Sequence, residues 1–249
     1  MSLVREQSRV LMSLIREPSR VSITEDAPPS KLSIFWHFTT PRRLATFIEL
    51  ATRKRAVADA VEVLSVDLRQ LPEFSVSQLR QALQLVKNVQ DLILYLPQQP
   101  LPVELLSDLK FGRLDFFASN IPHVALASFL EKHPTITSLI LDTCGRTEAC
   151  ASETHPLPAV ISLQCPASCV KALPYPQVIR LVLRMTGPSR SMSTVLRGMT
   201  TSLQLSVLIV DVSPDDYDVL RQIARVFPRV RKLKLIEQKT VTVRHGIVV

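Results

Sequence analysis

The sequence predicts an α/β solenoid, in which a parallel β-sheet forms the concave face and helices or loops form the convex face. A short pattern, apolar-x-x-Leu-x-apolar, recurs along the chain, and its clearest copy occupies residues 136–141. The copies lie 18 to 28 residues apart, and apolar residues at helical spacing fall between several of them. Because side chains alternate faces along a strand, each copy has one apolar side that only stacked copies can bury.

Eight copies of the pattern align on a central leucine. Their spacings scatter around the roughly 20–29 residues of leucine-rich repeats, with one shorter member. Five of the eight copies end on Ser, Thr or Cys, where this repeat class usually has Asn, so we expect an irregular leucine-rich-repeat solenoid of about eight repeats over residues 61–237. The central leucines are Leu64, Leu92, Leu114, Leu139, Leu163, Leu181, Leu208 and Leu233.

The segments outside the repeats differ from them in composition. Residues 1–33 contain a short duplication and two adjacent prolines, so we expect them to be disordered. Residues 34–60 include apolar residues at helical spacing and predict an N-terminal cap with a helix over 41–57. Residues 238–249 are expected to form a C-terminal tail.

Three connectors between strands also have apolar residues at helical spacing, namely residues 74–87, 122–133 and 213–227. The last gives the clearest signal. Ser213 is a suitable capping residue, Pro214 suits the first turn, and basic residues lie toward the other end. The sequence therefore predicts helices on the side of the solenoid opposite the sheet.

The charge of the chain bears on its partners. The formal net charge is +8, but residues 221–249 alone carry +7, whereas residues 56–220 carry −4. A basic chain can attract nucleic acid, yet the sequence lacks a Gly-rich phosphate loop, zinc-finger spacing and an aromatic stacking motif. We therefore expect a protein partner on the concave sheet, and a basic-ended nucleic-acid-associated or scaffold protein is the alternative.

The expected location follows from apolar runs and cysteines. The sequence has no apolar run of about 20 residues that could cross a bilayer, and its start lacks the apolar stretch of a secretion signal. Cys144 occupies a repeat turn, and Cys165 replaces a buried leucine of the pattern, so both are expected to be structural thiols. Reduced thiols indicate a cytoplasmic or nuclear protein.

The sequence does not indicate an enzyme, a cofactor or a metal. It contains no nucleophile elbow, phosphate loop or dinucleotide fingerprint. The alternative is a metal-binding loop, because one predicted loop holds a cluster of residues of metal-ligating type. They are Cys144, Glu148, Cys150, Glu153 and His155.

Several short phrases resemble the repeat arm of fungal F-box/leucine-rich-repeat proteins. They are residues 41–47 (PRRLATF), 61–66 (VEVLSV), 133–139 (HPTITSL), 157–160 (LPAV) and 164–168 (QCPAS). The resemblance implies that the repeats hold the substrate of a cullin-type ubiquitin ligase, whose adaptor binds an N-terminal F-box. Residues 1–40 lack the Leu-Pro-x-Glu-Leu phrase of an F-box. The one match, residues 101–106, is too close to the next repeat for such a domain and is interpreted as a connector.

The candidate binding residues flank the inward leucines and are expected to project from the outer surface of the sheet. Together they form a mixed charged and aromatic ladder, and exposed aromatic and Arg residues dominate protein interfaces. The candidates are Tyr95, Arg113, Asp115, Phe117, Asp142, Arg180, Arg184, Asp211, Lys232 and Lys234.

Overall fold

A computed structural model describes residues 34–71, 73–97, 104–144, 159–172, 177–185, 191–199 and 203–238. Across these ranges the chain forms one nine-stranded sheet, in which each strand pairs in parallel with the next strand in sequence. This strand order confirms the predicted α/β solenoid of the leucine-rich-repeat type. The strands are β1 (Ile34–Phe38), β2 (Val61–Asp67), β3 (Asp91–Tyr95), β4 (Phe116–Ser119), β5 (Ser138–Leu141), β6 (Ser162–Pro166), β7 (Arg180–Arg184), β8 (Val207–Val212) and β9 (Lys232–Glu237).

Helices lie in the connectors between these strands. Those predicted over residues 74–87 and 122–133 are confirmed to within two residues at each end. The segment 41–57 forms two helices rather than one, because the chain leaves helical geometry at Lys54. The helices are α1 (Pro41–Arg53), α2 (Arg55–Asp59), α3 (Val76–Leu85), α4 (Glu104–Ser107), α5 (His123–Glu131), α6 (Met192–Arg197) and α7 (Val219–Val226), with a 3-10 helix at Ala167–Ala172.

A continuous row of apolar side chains crosses the sheet and packs into the main core. Its members are partners in the strand register and are at most 1% exposed from β2 to β8. Burying one such side chain contributes about 1.5–3 kcal/mol, so this inner row supplies a large share of the stability. The row consists of Leu64, Leu92, Phe117, Leu139, Leu163, Leu181 and Leu208.

The third repeat is shifted by three residues from its predicted position. Leu114 lies ahead of the strand, whereas Phe117 pairs with Leu92 on one side and Leu139 on the other. Phe117 is fully buried, so the prediction that it projects outward as a binding residue is wrong. Leu114 and Phe117 are both apolar and three residues apart, so the pattern fits in part with Leu114 as its first position and Phe117 as its centre, while Ser119 takes its last, usually apolar, position.

The N-terminal end of the described sheet is covered by an aromatic group. The rings of Trp36 and Phe47 are 5.0 Å apart, and those of Phe38 and Phe47 are 5.2 Å apart. Thr40 begins α1, and its side chain accepts the Arg43 backbone N–H at 3.4 Å. Residues 34–60, predicted as a cap, thus add a strand as well as helices, while residues 1–33 lie outside the described chain.

The other end of the described sheet is exposed. Leu233 and Leu235 of β9 are 41% and 39% exposed, whereas Leu208 in the preceding strand is fully buried. The prediction that the leucines line one interior as far as Leu233 is therefore wrong for that residue. The predicted tail, residues 238–249, lies outside the described chain except for Gln238.

The last helix begins six residues later than predicted, at Val219 rather than Ser213. The Asp216 backbone N–H donates to the Ser213 carbonyl at 3.0 Å, and this turn replaces the first helical turn. The Asp216 carboxylate accepts the Ser193 backbone N–H at 2.8 Å, in the first turn of α6. Asp216 therefore satisfies the start of a neighbouring helix, a contact that local sequence cannot reveal.

The F-box-like phrase at 101–106 falls in the connector between β3 and β4. Its described part belongs to α4, and Leu105 and Leu106 are buried in the main core. Side chains buried in this way support the interpretation as a connector. None of the helices in the described ranges is both long and apolar enough to cross a membrane.

Candidate functional site

The face of the sheet opposite the inner row is the candidate binding surface, and it is called the open face below. Its side chains come from the strand positions that alternate with the inner row. Near the carboxyl ends of the strands these side chains are mostly polar and form a connected group, called the polar strip. Its members are Asp67, Arg69, Tyr95, Asp142, Gln164, Arg184 and Asp211.

Arg69 anchors the β2 end of the polar strip. Its guanidinium donates to both oxygens of Asp67, with N–O distances of 2.9 and 2.6 Å, and lies 4.4 Å from the centre of the Tyr95 ring. Burial alone would raise the pKa of Asp67, but the hydrogen bonds and charge of Arg69 outweigh it and hold that pKa below its usual value. Arg69 is thus fixed in place by two neighbours.

Asp142 is the central acid of the polar strip. It follows β5, and its carboxylate accepts hydrogen bonds from the Tyr95 hydroxyl and, at 3.1 Å, from the Gln164 amide. Burial raises the pKa of Asp142, although these donors and the charges of Arg184 and Arg69 oppose the shift. Burial and the nearby Asp142 carboxylate also raise the pKa of Tyr95. Both groups therefore hold their protons more tightly than they would in water.

Arg184 and Asp211 form the β8 end of the polar strip. Their side chains meet at 3.1 Å, and the second Asp211 oxygen accepts the Met185 backbone N–H at 3.2 Å. The Asp211 side chain is only 4% exposed, whereas that of Arg184 is 24% exposed. The acid is therefore held inside the surface, and the guanidinium remains within reach of a partner.

A small apolar cluster lies beside the polar strip on the open face. Ile93, Tyr95 and Ala118 are nearly or fully buried, and Phe116 and Ile140 pack against them. This cluster is separate from the main core on the other side of the sheet. These side chains pack tightly in the middle of the open face, and only Phe116 and Ile140 stay partly exposed.

Opposite charges lie near the amino ends of the strands, towards the two ends of the sheet. Asp91 has its pKa raised by burial and by the nearby charges of Asp115 and Glu62, so these three acids lie close together around β2 to β4. At the other end, Arg180 lies at the start of β7, and Lys232 and Lys234 are exposed on β9. Near the amino ends of the strands, the sheet therefore carries acids around β2 to β4 and basic groups on β7 and β9.

Comparisons with known proteins add little to this picture. No protein-family model and no curated protein matches the chain. Among solved structures, it is similar to the leucine-rich repeat-containing protein LegL7 from Legionella pneumophila, with 16% identity and a TM-score of 0.39 over 72% of this chain and 75% of that one. A likeness this weak carries no argument about function. The fold class rests on the sheet itself.

The structure brings together some of the predicted binding residues but not all. Tyr95, Asp142, Arg184 and Asp211 meet in the polar strip. Lys232, Lys234 and Arg180 lie on the open face, away from that strip. Arg113 and Asp115 are exposed but precede β4, because the third repeat is shifted, and Phe117 belongs to the core.

Three members of the polar strip were not predicted from sequence, namely Asp67, Arg69 and Gln164. Arg69 follows β2, and Gln164 is the position between the two inward residues of β6. The position of Gln164 on the strand was a usable signal, since it alternates with Leu163 and Cys165. Of the loop cluster weighed as a metal site, Cys144 is described, and Glu148, Cys150, Glu153 and His155 lie outside the described residues.

Proposed function

We propose that this protein is a non-enzymatic recognition module that binds another protein through the open face of its sheet. The observation that carries the proposal is the polar strip. Its charged groups are half buried and already fixed by hydrogen bonds before any partner arrives. A surface fixed in advance loses little side-chain freedom on binding, which favours affinity.

The dimensions of the open face suit a protein partner. Nine strands of about five residues, with neighbours about 4.8 Å apart, make a surface of about 600 Å² in the described chain. A typical stable interface buries about 800 Å² of accessible surface on each partner, so a stably bound partner must also contact the borders of this face. Arg69 and Arg184 at the two ends of the polar strip are of the residue type enriched at interface hot spots.

The charge pattern of the open face constrains the partner and its orientation. A protein that binds across the open face and the amino-terminal edge of the sheet needs basic groups opposite Glu62, Asp91 and Asp115, and acidic groups opposite Arg180, Lys232 and Lys234. Charges placed in this way steer association and penalise the reversed orientation. We therefore expect a partner with one basic and one acidic flank.

A narrower form of the proposal comes from the resemblance to F-box/leucine-rich-repeat proteins. In that form, the partner is the substrate of a cullin-type ubiquitin ligase, and the chain acts in the cytoplasm or nucleus. The short sequence phrases shared with the repeats of that family support this form, and so does the expectation of reduced cysteines. Leu105 and Leu106 of the F-box-like phrase are buried, and the broader proposal does not depend on an adaptor.

The test is a binding experiment with two variants of equal charge. One replaces Arg180, Lys232 and Lys234 on the open face by Glu. The control replaces Arg221, Arg225 and Arg229 by Glu, at exposed positions in and after α7. Partners captured on the immobilised chain are identified by mass spectrometry, produced as pure proteins and titrated against each variant.

We expect the open-face variant to bind the identified partner about tenfold or more weakly, and the control to bind within about twofold of the original chain. Equal losses of affinity in both variants that shrink as salt is added would indicate a response to net charge rather than to the open face, and would contradict the proposal. Unchanged binding in the open-face variant would refute the proposal. Capture of a cullin-ligase adaptor would support the narrower form.

A further inference from the structure

We propose that His123, Cys144 and Cys169 form a binding site for a divalent zinc ion. One ligand atom from each of these side chains lies within 4.8 Å of the other two. Imidazole nitrogen and thiolate sulfur are the donors that zinc prefers. The site lies within the solenoid, independent of the open face, and does not depend on the proposed binding function.

The repeat architecture explains why three distant residues meet here. His123 lies four residues after β4, Cys144 three residues after β5, and Cys169 three residues after β6. The three strands are consecutive neighbours in the parallel sheet, so the turns that follow them stack at the same edge. Each repeat thereby contributes one ligand to a single column.

The distances suit tetrahedral coordination. The Nδ1 atom of His123 is 3.9 Å from the Sγ atom of Cys169. With zinc–nitrogen and zinc–sulfur bonds of about 2.1 and 2.3 Å, tetrahedral geometry places two such donors about 3.6 Å apart. This pair therefore needs to approach by only a few tenths of an ångström, and the other donors, which lie within 4.8 Å of one another, by up to about one ångström.

The surroundings also suit a metal ion that enters from solvent. His123 and Cys169 are 3% and 1% exposed, whereas Cys144 is half buried and gives access from outside. The Ser168 hydroxyl lies 4.0 Å from the Cys169 sulfur, where it can donate to a thiolate. A partner of this kind stabilises a metal-bound thiolate. Three protein donors leave the fourth coordination position to water or a further donor.

The competing interpretation is that the two thiols pack as small apolar groups, with one of them hydrogen-bonded to the imidazole. The two interpretations differ in metal content. Zinc binding requires deprotonated thiols and ties the three connectors together, so removing the metal should destabilise the fold. Simple packing predicts no response to metal or chelator.

The first experiment uses the full chain with its thiols reduced. We expect about one zinc per chain by elemental analysis after dialysis without chelator. Replacement of zinc by cobalt(II) should give a thiolate-to-cobalt charge-transfer band and the visible bands of tetrahedral cobalt. A strong chelator should lower the melting temperature, and added zinc should restore it.

Matched variants then assign the ligands. Cys144→Ser changes the most exposed of the three donors and is the variant least disruptive to folding, and it should weaken zinc affinity about tenfold or more. Cys165→Ser is the control for loss of a buried thiol, since Cys165 in β6 is 2% exposed, close to the 1% of Cys169, but lies outside the three-residue group, and it should keep its zinc. Reduced original chain that binds neither zinc nor cobalt, or Cys144→Ser with unchanged affinity, would overturn the proposal.

Discussion

The two faces of the sheet differ in how they pack their apolar side chains, and two adjacent residues show the difference. Phe117 points into the main core and is fully buried, whereas Phe116 points to the open face and packs against a cluster of only a few residues. The inner face is apolar from one strand to the next. The open face combines a small apolar cluster with hydrogen-bonded charges. The stability of the fold therefore depends mainly on the inner face, and the residues of the open face are free to vary for recognition.

We expect the largest loss of stability from substitution of Phe117, and Phe116 provides the matched comparison. Phe117→Ala should lower the free energy of unfolding by about 3–5 kcal/mol, because it leaves a cavity in a close-packed core. The same change at Phe116 should cost about 1 kcal/mol, since its side chain is only partly buried. Urea unfolding followed by circular dichroism measures both values. Similar losses at the two positions would contradict the division between the faces.

The next effect concerns the acid held inside the open face. Among the described residues, Arg184→Ala leaves the buried Asp211 with the Met185 backbone N–H as its hydrogen-bond donor, so we expect a loss of about 2 kcal/mol. Arg69→Ala is the matched control, because its partner Asp67 remains about a quarter exposed and should tolerate the loss at about 1 kcal/mol or less. Thermal or urea unfolding at neutral pH compares the two, and an equal or reversed order would show that burial of the partner acid does not set the cost.

A smaller effect is expected from a single hydroxyl. Tyr95→Phe keeps the ring beside Arg69 and Ile93 but removes the donor to Asp142, which should lower the unfolding free energy by about 1 kcal/mol. The double variant with Asp142→Asn should lose less than the sum of the single changes, because the two groups interact. Additive losses in urea unfolding would place the hydroxyl outside the polar strip.

The subtlest effect is an opposite response to pH from two acids of the polar strip. The lowered pKa of Asp67, held down by Arg69 against burial, gives a contribution to stability that is present at neutral pH and lost in acid. Burial raises the pKa of Asp142, so its contribution is present in acid and lost as the pH rises above the usual range of an aspartate.

The pH responses are separated by two single substitutions. Asp67→Asn should therefore be more destabilising at neutral pH than in mild acid, and Asp142→Asn should be more destabilising in mild acid than at neutral pH. Unfolding free energies measured across the acid range give both slopes. If the destabilisation caused by each substitution changed with pH in the same direction, the two carboxylates would share one electrostatic environment.

The inner face could be predicted from sequence because its signal is local. Leu64, Leu139 and Leu181 each sit in a short strand whose alternation shows which side is apolar. The pattern failed where two apolar residues competed for the same place, since only pairing with Leu92 places Phe117 rather than Leu114 at the centre. The late start of α7 was not predicted for a similar reason, because the Asp216 carboxylate accepts a backbone N–H of α6, a different helix.

The open face was less predictable because its contacts join separate repeats. Gln164 and Asp142 are 22 residues apart, and Arg184 and Asp211 are 27 apart, so their pairing depends on the register between strands. That register cannot be predicted from either segment by itself. The same limit applies to the proposed zinc ligands, where His123 and Cys169 are 46 residues apart.

The sequential strand order has a mechanical consequence. Within the described chain, each strand hydrogen-bonds only to its predecessor and successor in sequence. A load applied to the two termini would therefore peel repeats away singly rather than rupture the whole sheet at once. Stretched in this way, the protein would unfold in a series of small steps, each at a low force.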